Sequence, residues 1–402
     1  MCEAPLAQAS ERSRAAIRWP MAATAAVFFA NGLLFASWAA HIPQVKARLG
    51  LTDGALGVAL LGAPAGSVSA MLASARLLPR LGSKRMVRVA LVGYCAAGPL
   101  VGLTGSLPAL FIALYAWGAF QGSLDVSMNT QAVAVEQARG RPLMSGLHAW
   151  WSIGAFAGAG LGALGVAIGL PLPRQLVLLG LPVLVITGWL TSWMVPDAGR
   201  NAQQRAAWRP ARRLSRPILV LAAIAFASML CEGASADWAA VYLRGSLHVG
   251  VAIAGLAYTV FSLTMVATRL AGNRLLRRFR VGRLLPVLAA VATAGFAAGL
   301  LGGRAVTAIA GFGCLGIGLA LVIPTVFSAA GRLPGLNPGA AIATVSAFGW
   351  AGFVCGPPLI GELASATSLS AALGLLPALT AFIVLATASA AALRQHASAA
   401  PQ

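Results

Sequence analysis

Four ionisable side chains lie inside long apolar stretches of this 402-residue sequence: Asp125, His148, Glu232 and Asp237. A charged group at the centre of a hydrocarbon layer costs about 2.5–3.5 kcal/mol on insertion scales, so each of them needs a reason to be there. Carboxyl and imidazole groups in apolar surroundings can take up and release protons near neutral pH. We therefore predict that the four are proton-coupling groups.

Glu232 is the foremost of these candidates. It lies about fourteen residues into the apolar stretch 218–242, with Ser228 and Ser235 on its helical face. Asp237 follows five residues later, roughly 140° around a helix, so we expect it on another surface and nearer the end. There it would act as a gate or pair with Arg244. The alternative for Glu232 is a pair with a buried donor that serves structure alone.

Asp125 belongs to a polar stripe. Gln121 and Asn129 flank it at four-residue steps, and successive steps of four turn a helix by only about 40°. Such a stripe should face water or protein, and His148 enters at a similar depth, so that the two can meet in a proton relay. The alternatives are an interhelical hydrogen-bond cluster that fixes packing and, for His148, a satisfied interfacial histidine.

Aromatic and amide side chains suggest where a solute binds. Asn31 and Trp38 lie seven residues apart on one helical face, and Trp350 follows Ser346 by four. Aromatic platforms beside amides suit sugar-like or mixed polar ligands, although an interfacial aromatic belt explains a tryptophan equally well. The predicted substrate-cavity residues are Asn31, Trp38, Gln121, Asn129 and Trp350.

Composition identifies the elements that must position these residues. The sequence is 59% hydrophobic and 9% charged, against roughly a quarter charged in soluble domains. Its apolar runs are continuous and about 18–25 residues long, which predicts membrane-spanning helices and not a β-barrel. The predicted spans are 20–42, 54–75, 86–105, 107–134, 143–168, 175–195, 218–242, 250–271, 284–302, 305–330, 340–361 and 371–393.

The basic residues predict the orientation. With twelve spans, 24 of the 29 Lys and Arg fall on one side, Arg269 among them, and five on the other. The positive-inside rule therefore places both termini in the cytoplasm. We attribute the formal charge of +20 to topology and to anionic lipids, at about 1 kcal/mol per basic residue near the surface, and not to nucleic acid. The polar first 18 residues argue against a cleavable signal peptide.

Internal similarity divides the chain into two related halves. Trp38 is matched by Trp238 200 residues later, and Gly118 and Gly154 by Gly313 and Gly349 at a spacing of 195. The predicted organisation is a cytoplasmic tail (1–19), a six-helix bundle (20–195), an Arg-rich cytoplasmic linker (196–217), a second six-helix bundle (218–393) and a cytoplasmic tail (394–402).

The segment ARLLPRLGSKR, residues 75–85, resembles the signature loop of the major facilitator superfamily. Leu77, Arg80, Gly82, Lys84 and Arg85 match the pattern, whereas Ala75 and Pro79 replace a Gly and an Asp. The resemblance implies an all-α membrane fold of twelve helices in two pseudo-symmetric bundles. It also implies alternating access, with the substrate site at the midplane. In the family the Asp latches the inner side, so with Pro79 the basic residues are expected to pair with a helix C-terminus or lipid.

Further segments resemble the MosC/YbjJ-like branch of that superfamily: 125–129, 140–148 and 232–238. Drug antiporters usually carry an Arg three residues before a Gln-Gly pair in the fourth helix. Here Gln121 and Gly122 are present, but Gly118 occupies the Arg position. The fifth helix also lacks the antiporter proline. Both departures argue against a typical multidrug exporter.

The sequence therefore predicts a multi-pass transporter of the bacterial inner membrane, which moves a small polar solute and is coupled to protons. We expect a monomer, with no cofactor and no metal site. Two alternatives stay open: efflux of small amphipathic compounds by proton antiport, and a non-transporting sensor or scaffold. No phosphate-binding Gly-rich loop supports ATP coupling, and four scattered histidines do not make an enzyme site.

Overall fold

The computed structural model describes residues 4–39, 41–51, 53–196, 215–249 and 251–389, and all regular structure within these ranges is helical. Most of the predicted linker (197–214) and the predicted C-terminal tail lie outside them. The chain divides into two compact units, each treated separately below. The first comprises Met1–Pro210 with Leu336–Ala343, and the second comprises Ala211–Gly335 with Thr344–Gln402.

The first unit contains eight α-helices and a short 3₁₀ turn, Thr191–Trp193, among its described residues. In chain order the helices are α1 (Ala4–Ala39), α2 (Ile42–Leu49), α3 (Asp53–Leu60), α4 (Gly62–Leu81), α5 (Ser83–Leu103), α6 (Leu107–Arg139), α7 (Met144–Ala167) and α8 (Leu172–Leu190). Helix α1 packs mainly on α7, α4 on α6, and α5 on both α6 and α8.

The second unit holds the remaining described helices, except for the first turns of α14. They are α9 (Arg216–Gly245), α10 (Val251–Arg278), α11 (Val281–Leu301), α12 (Ala305–Leu319), α13 (Val322–Ala330), α14 (Pro338–Ala366), α15 (Leu369–Leu373) and α16 (Leu375–Ser389). Helix α12 packs on α10 and α11, while α9 contacts α10, α13 and α16.

Eleven segments of the described chain are long and apolar enough to cross a membrane, and α10 occupies the place of the remaining predicted span. The prediction of an all-α membrane fold is confirmed. The predicted spans and the observed helices largely coincide, although α4 and α10 run six and seven residues past the predicted ends and the span 305–330 is divided between α12 and α13. Helix α1 begins at Ala4, although its apolar part begins only at Ile17. Helix α6 continues beyond 134 to Arg139, where Gly140 ends it in the left-handed region with φ 64°.

Glycine allows the helices of each unit to pack backbone to backbone. An added Cβ at Gly118 of α6 would come within 2.0 Å of the Ala63 carbonyl oxygen, and one at Gly316 of α12 within 2.2 Å of the Phe261 carbonyl oxygen. Both the glycines and their partners are 198 residues apart. The two halves therefore repeat the same contact, as small residues permit in membrane helices.

This packing corrects the register of the repeat. Gly154 lies against the carbonyl of Phe29, and its counterpart is Gly352, which lies against Phe226, whereas Gly349 faces the Met229 side chain. The sequence match at 195 residues is thus wrong by three positions, and the match of Trp38 with Trp238 at 200 is also out of register. In a glycine-rich chain a slip of nearly one turn still brings similar residues into alignment.

Candidate functional site

A buried ion pair links two helices of the second unit. The Arg269 Nη2 of α10 lies 3.3 Å from the Glu232 Oε1 of α9. Arg269 is 5% exposed and the Glu232 side chain 19%, so both partners are largely buried. Such a pair is expensive to desolvate and strongly destabilising to break at one partner. A change in the charge of Glu232 must therefore alter its surroundings.

Arg269 has a second acceptor in the same unit. Its Nε donates to the backbone carbonyl of Ala320, between α12 and α13, at 3.3 Å. The prediction that Arg269 belongs to the cytoplasmic charge count is wrong, because its side chain is buried inside the helix packing. The cationic residues Arg274, Arg277 and Arg278 that follow it are exposed, which is why the charge pattern concealed it.

Tyr258 and Asp237 extend this group. Tyr258, on α10, interacts electrostatically with Glu232, Asp237 and Arg269. We expected the two carboxylates on different surfaces of α9, and Asp237 is indeed the exposed one. Both nevertheless lie within range of one tyrosine, which the sequence analysis did not select. We call Glu232, Asp237, Tyr258 and Arg269 the acidic–basic group.

The first unit holds a hydrogen-bond network around Asn31 of α1. The Asn31 Oδ1 accepts from the Trp151 Nε1 of α7 at 3.1 Å and from the Gln121 Nε2 of α6 at 3.5 Å. The Ser67 hydroxyl of α4 lies 3.0 Å from the Gln121 Oε1. Four helices thus meet through neutral polar groups, and the structure brings together the predicted residues Asn31 and Gln121.

Asn129 links the remaining two predicted residues of α6 and α7. Its Nδ2 donates to the Asp125 Oδ1 at 3.3 Å, and its Oδ1 lies 3.2 Å from the His148 Nε2. An amide oxygen only accepts, so in this arrangement the Nε2 of His148 carries the proton. Asn129 is buried, whereas Asp125 and His148 are partly exposed. The acid and the imidazole are therefore joined through one side chain.

For the two predicted tryptophans the structure describes other surroundings. Trp38 is buried two turns beyond Asn31 on α1, and Trp350 packs its ring against Phe353 within the second unit. Trp151 instead supplies the indole beside Asn31, with its ring 6.2 Å from that of Phe35. His148 and Trp151 are three residues apart and therefore lie on one face of α7. This spacing is the sequence feature from which Trp151 could have been selected.

In the signature loop, Lys84 pairs with a helix C-terminus. The Lys84 Nζ donates to the carbonyls of Ser192, at 2.6 Å, and Met194, at 3.4 Å, at the end of the 3₁₀ turn after α8. Gly82 joins α4 to α5 with φ 79°, a conformation that favours glycine. Arg80 and Arg85 are exposed.

Glu136 is a buried carboxylate that the sequence analysis missed. Its Oε2 accepts from the backbone amides of Leu143, at 2.8 Å, and Met144, at 3.0 Å, at the start of α7. These amides have no partner within the helix, so Glu136 caps the N-terminus of α7. Its negative charge is favourable there, because that end of the helix carries a partial positive charge. Its position therefore assigns it a structural role. Among the described residues no group of three or more His, Cys, Asp or Glu is arranged to hold a metal ion.

Comparison with protein families places this geometry in context. Residues 20–337 match the family described as Major Facilitator Superfamily. An uncharacterized MFS-type transporter of Yersinia pestis is 32% identical over 356 residues, covering 87% of this chain and 90% of the relative. The membrane protein MosC of Rhizobium meliloti is 31% identical over 352 residues, covering 87% and 85%.

Solved structures share the fold at much lower identity. FucP, a fucose:proton symporter of E. coli, superposes with a TM-score of 0.75 at 16% identity, over 92% of this chain and 98% of FucP. The proton:xylose symporter XylE gives a TM-score of 0.71 at 12% identity, over 93% and 95%.

Proposed function

Because this chain belongs to the major facilitator superfamily and is a multi-pass secondary transporter, we propose that it moves a small polar solute by alternating access and couples this movement to protons through Glu232. The bacterial relatives and the distribution of basic charge support the inner membrane as its location. Contact with anionic lipids and a monomeric state remain predictions.

The observation that carries the proposal is the buried Glu232–Arg269 pair. An arginine keeps its charge under physiological conditions, whereas a carboxyl can be neutralised by one proton. Protonating Glu232 would convert a neutral pair into an uncompensated buried cation, which is costly unless the surroundings rearrange. Proton binding and conformation are thereby linked, as proton-driven transport requires.

The Asp125–Asn129–His148 chain supports a second proton-handling group in the first unit. Asp125 and His148 are the partly exposed members, and the buried Asn129 holds them in a fixed relation. The Asn129 amide does not itself relay a proton, so a proton that leaves one group reaches the other only when the two come into direct contact or share a water molecule. Asp237 is exposed at its position on α9, which favours a role at the entrance and not in coupling itself.

A neutral, hydroxyl-rich solute suits the first unit best. Asn31, Gln121 and Asn129 are buried. Asn31 and Gln121 are hydrogen-bonded to each other and Asn129 to His148, so these amides have fixed positions and shape the site. Trp151 is partly exposed beside them and offers an indole face of the kind on which sugar rings pack. The structural neighbours FucP and XylE are named as symporters of fucose and xylose, which makes L-fucose and D-xylose sensible first probes.

Proteoliposomes that contain an internal pH-sensitive dye test the proposal. We expect the internal pH to change when one of a panel of monosaccharides and polyols, beginning with L-fucose and D-xylose, is added outside. The change should be abolished by a protonophore and be absent from protein-free vesicles. Solute movement without any proton movement, and without response to an imposed pH gradient, would refute proton coupling.

A further inference from the structure

Helix α12 does not continue directly into α13. The helical pattern stops at Leu319 and resumes at Val322, within a stretch that is buried throughout. The Ala320 carbonyl would ordinarily accept from the amide four residues later, but that residue is Pro324, which has no N–H. The next bond, from the Thr325 amide to the Leu321 carbonyl, is present at 3.2 Å. The proline therefore frees one buried carbonyl.

Arg269 occupies that freed carbonyl. Its Nε lies 3.3 Å from the Ala320 oxygen, while its Nη2 lies 3.3 Å from Glu232. One guanidinium thus connects the carboxylate of α9 with the interruption between α12 and α13. Helix α13 also packs directly on α9, so a shift at the interruption changes the packing of the helix that carries Glu232.

We propose that Arg269 is a positioning residue that couples the ionisation state of Glu232 to the position of α13. The coupling runs through the hydrogen bond of Arg269 to the carbonyl that Pro324 leaves free. This rests on the proposed function and deepens it. With Glu232 ionised, Arg269 is held between Glu232 and the Ala320 carbonyl. When Glu232 takes a proton, Arg269 loses its charged partner, and the segment that begins at Leu321 is released from its fixed position.

The first unit provides an internal comparison. At the spacing of 198 residues, Met71 occupies the place of Arg269, Gly122 that of Ala320 and Val126 that of Pro324. Helix α6 runs unbroken through this region, from Leu107 to Arg139. Proline, free carbonyl and arginine therefore occur together in the second unit and are replaced together in the first. A feature needed only for packing would be expected in both units.

The charged and titratable groups near Glu232 are those that can respond to a change in its charge. Arg269 and Tyr258 approach from α10, and Cys231 and Asp237 belong to α9 itself. Helix α13 has no ionisable side chain. Among these described neighbours Arg269 supplies the positive charge, so the loss of the Glu232 charge acts chiefly on it.

Hydrogen–deuterium exchange of the detergent-purified protein tests this link at fixed pH. In Glu232→Gln, we expect the amides of residues 319–325 to exchange at least about fivefold faster than in the parent, as for the loss of one hydrogen bond. Amides of 306–315 and of the first unit should be unchanged. Exchange in 319–325 that is the same in both proteins would overturn the inference.

Pro324→Ala supplies the matched variant, because it restores the amide that the Ala320 carbonyl lacks. In this background Glu232→Gln should no longer accelerate exchange in 319–325. Arg269→Met should lower the apparent Tm by about 2 °C less than it does in the parent, since the carbonyl keeps a partner. Equal effects of Arg269→Met in both backgrounds would contradict the role of Pro324. Arg269→Lys, which retains the charge but cannot reach both acceptors, should resemble Glu232→Gln.

The outcomes separate the two proposals. If Glu232→Gln accelerates exchange while transport ignores the proton gradient, the link between Glu232 and α13 stands and the proposed coupling fails. If transport is proton-driven and depends on Glu232 while exchange in 319–325 does not respond, the inference fails alone.

Discussion

Removing both members of the Glu232–Arg269 pair should destabilise the protein less than the sum of the two single removals. At the observed 3.3 Å the attraction of two unit charges is about 5 kcal/mol for an effective dielectric constant of about 20. The Glu232 side chain is 19% exposed and its burial is therefore incomplete, so we expect a coupling of ~3 kcal/mol, at the low end for buried pairs. Neutralising both partners in Glu232→Gln/Arg269→Met removes the attraction and the cost of burying charge together.

The assay is the apparent Tm in detergent by scanning fluorimetry, at one scan rate because unfolding of membrane proteins is commonly irreversible. The coupling corresponds to about 6–12 °C at roughly 2–4 °C per kcal/mol. We expect the double variant to be that much more stable than the sum of the two single losses. Arg274→Met, an exposed arginine five residues further along α10, is the control and should change Tm little.

Simple additivity of the two single substitutions would refute this reasoning. It would mean that Glu232 and Arg269 do not share an energetic interaction, whatever the distance between them.

Three further substitutions test the first unit, each by apparent Tm. Gly118→Ala should destabilise by about 1–3 kcal/mol, because its Cβ would come within 2.0 Å of a backbone oxygen, whereas Gly160→Ala, with no atom within 4 Å, should not; equal losses would refute the close packing. Lys84→Gln should lose about 0.3–1 kcal/mol at the end of α8, and the exposed Arg85→Gln less than half of that; the reverse order would contradict the capping role. Trp151→Phe should cost about 1 kcal/mol through the lost indole N–H, and an unchanged Tm would exclude that bond as a stabilising contact.

The spans could be predicted from the sequence because a bilayer fixes both the length and the polarity of what crosses it. Asp125, Asn129 and His148 could be selected for the same reason: few ionisable or amide groups occur within apolar runs. The depth of His148 predicted that it and Asp125 can meet, but not that Asn129 joins them. The family resemblance was confirmed over most of the chain.

What could not be predicted depends on tertiary contacts. Arg269 stands close to a run of exposed arginines, and nothing local distinguishes it from them or indicates a partner 37 positions earlier in the chain. The choice between Trp38 and Trp151 depended on which helix faces Asn31. The register of the repeat depended on backbone contacts that involve glycine, which leave no side-chain pattern to read.

Comparison of solute exchange with solute accumulation in Glu232→Gln proteoliposomes tests proton coupling most directly. With a monosaccharide that the parent transports, the variant should retain equilibrium exchange, which needs no net proton movement, and lose accumulation driven by an imposed pH gradient. Glu362→Gln, the same substitution at an exposed glutamate near the end of α14, should retain both activities. Accumulation by Glu232→Gln at the parent's level would contradict the account.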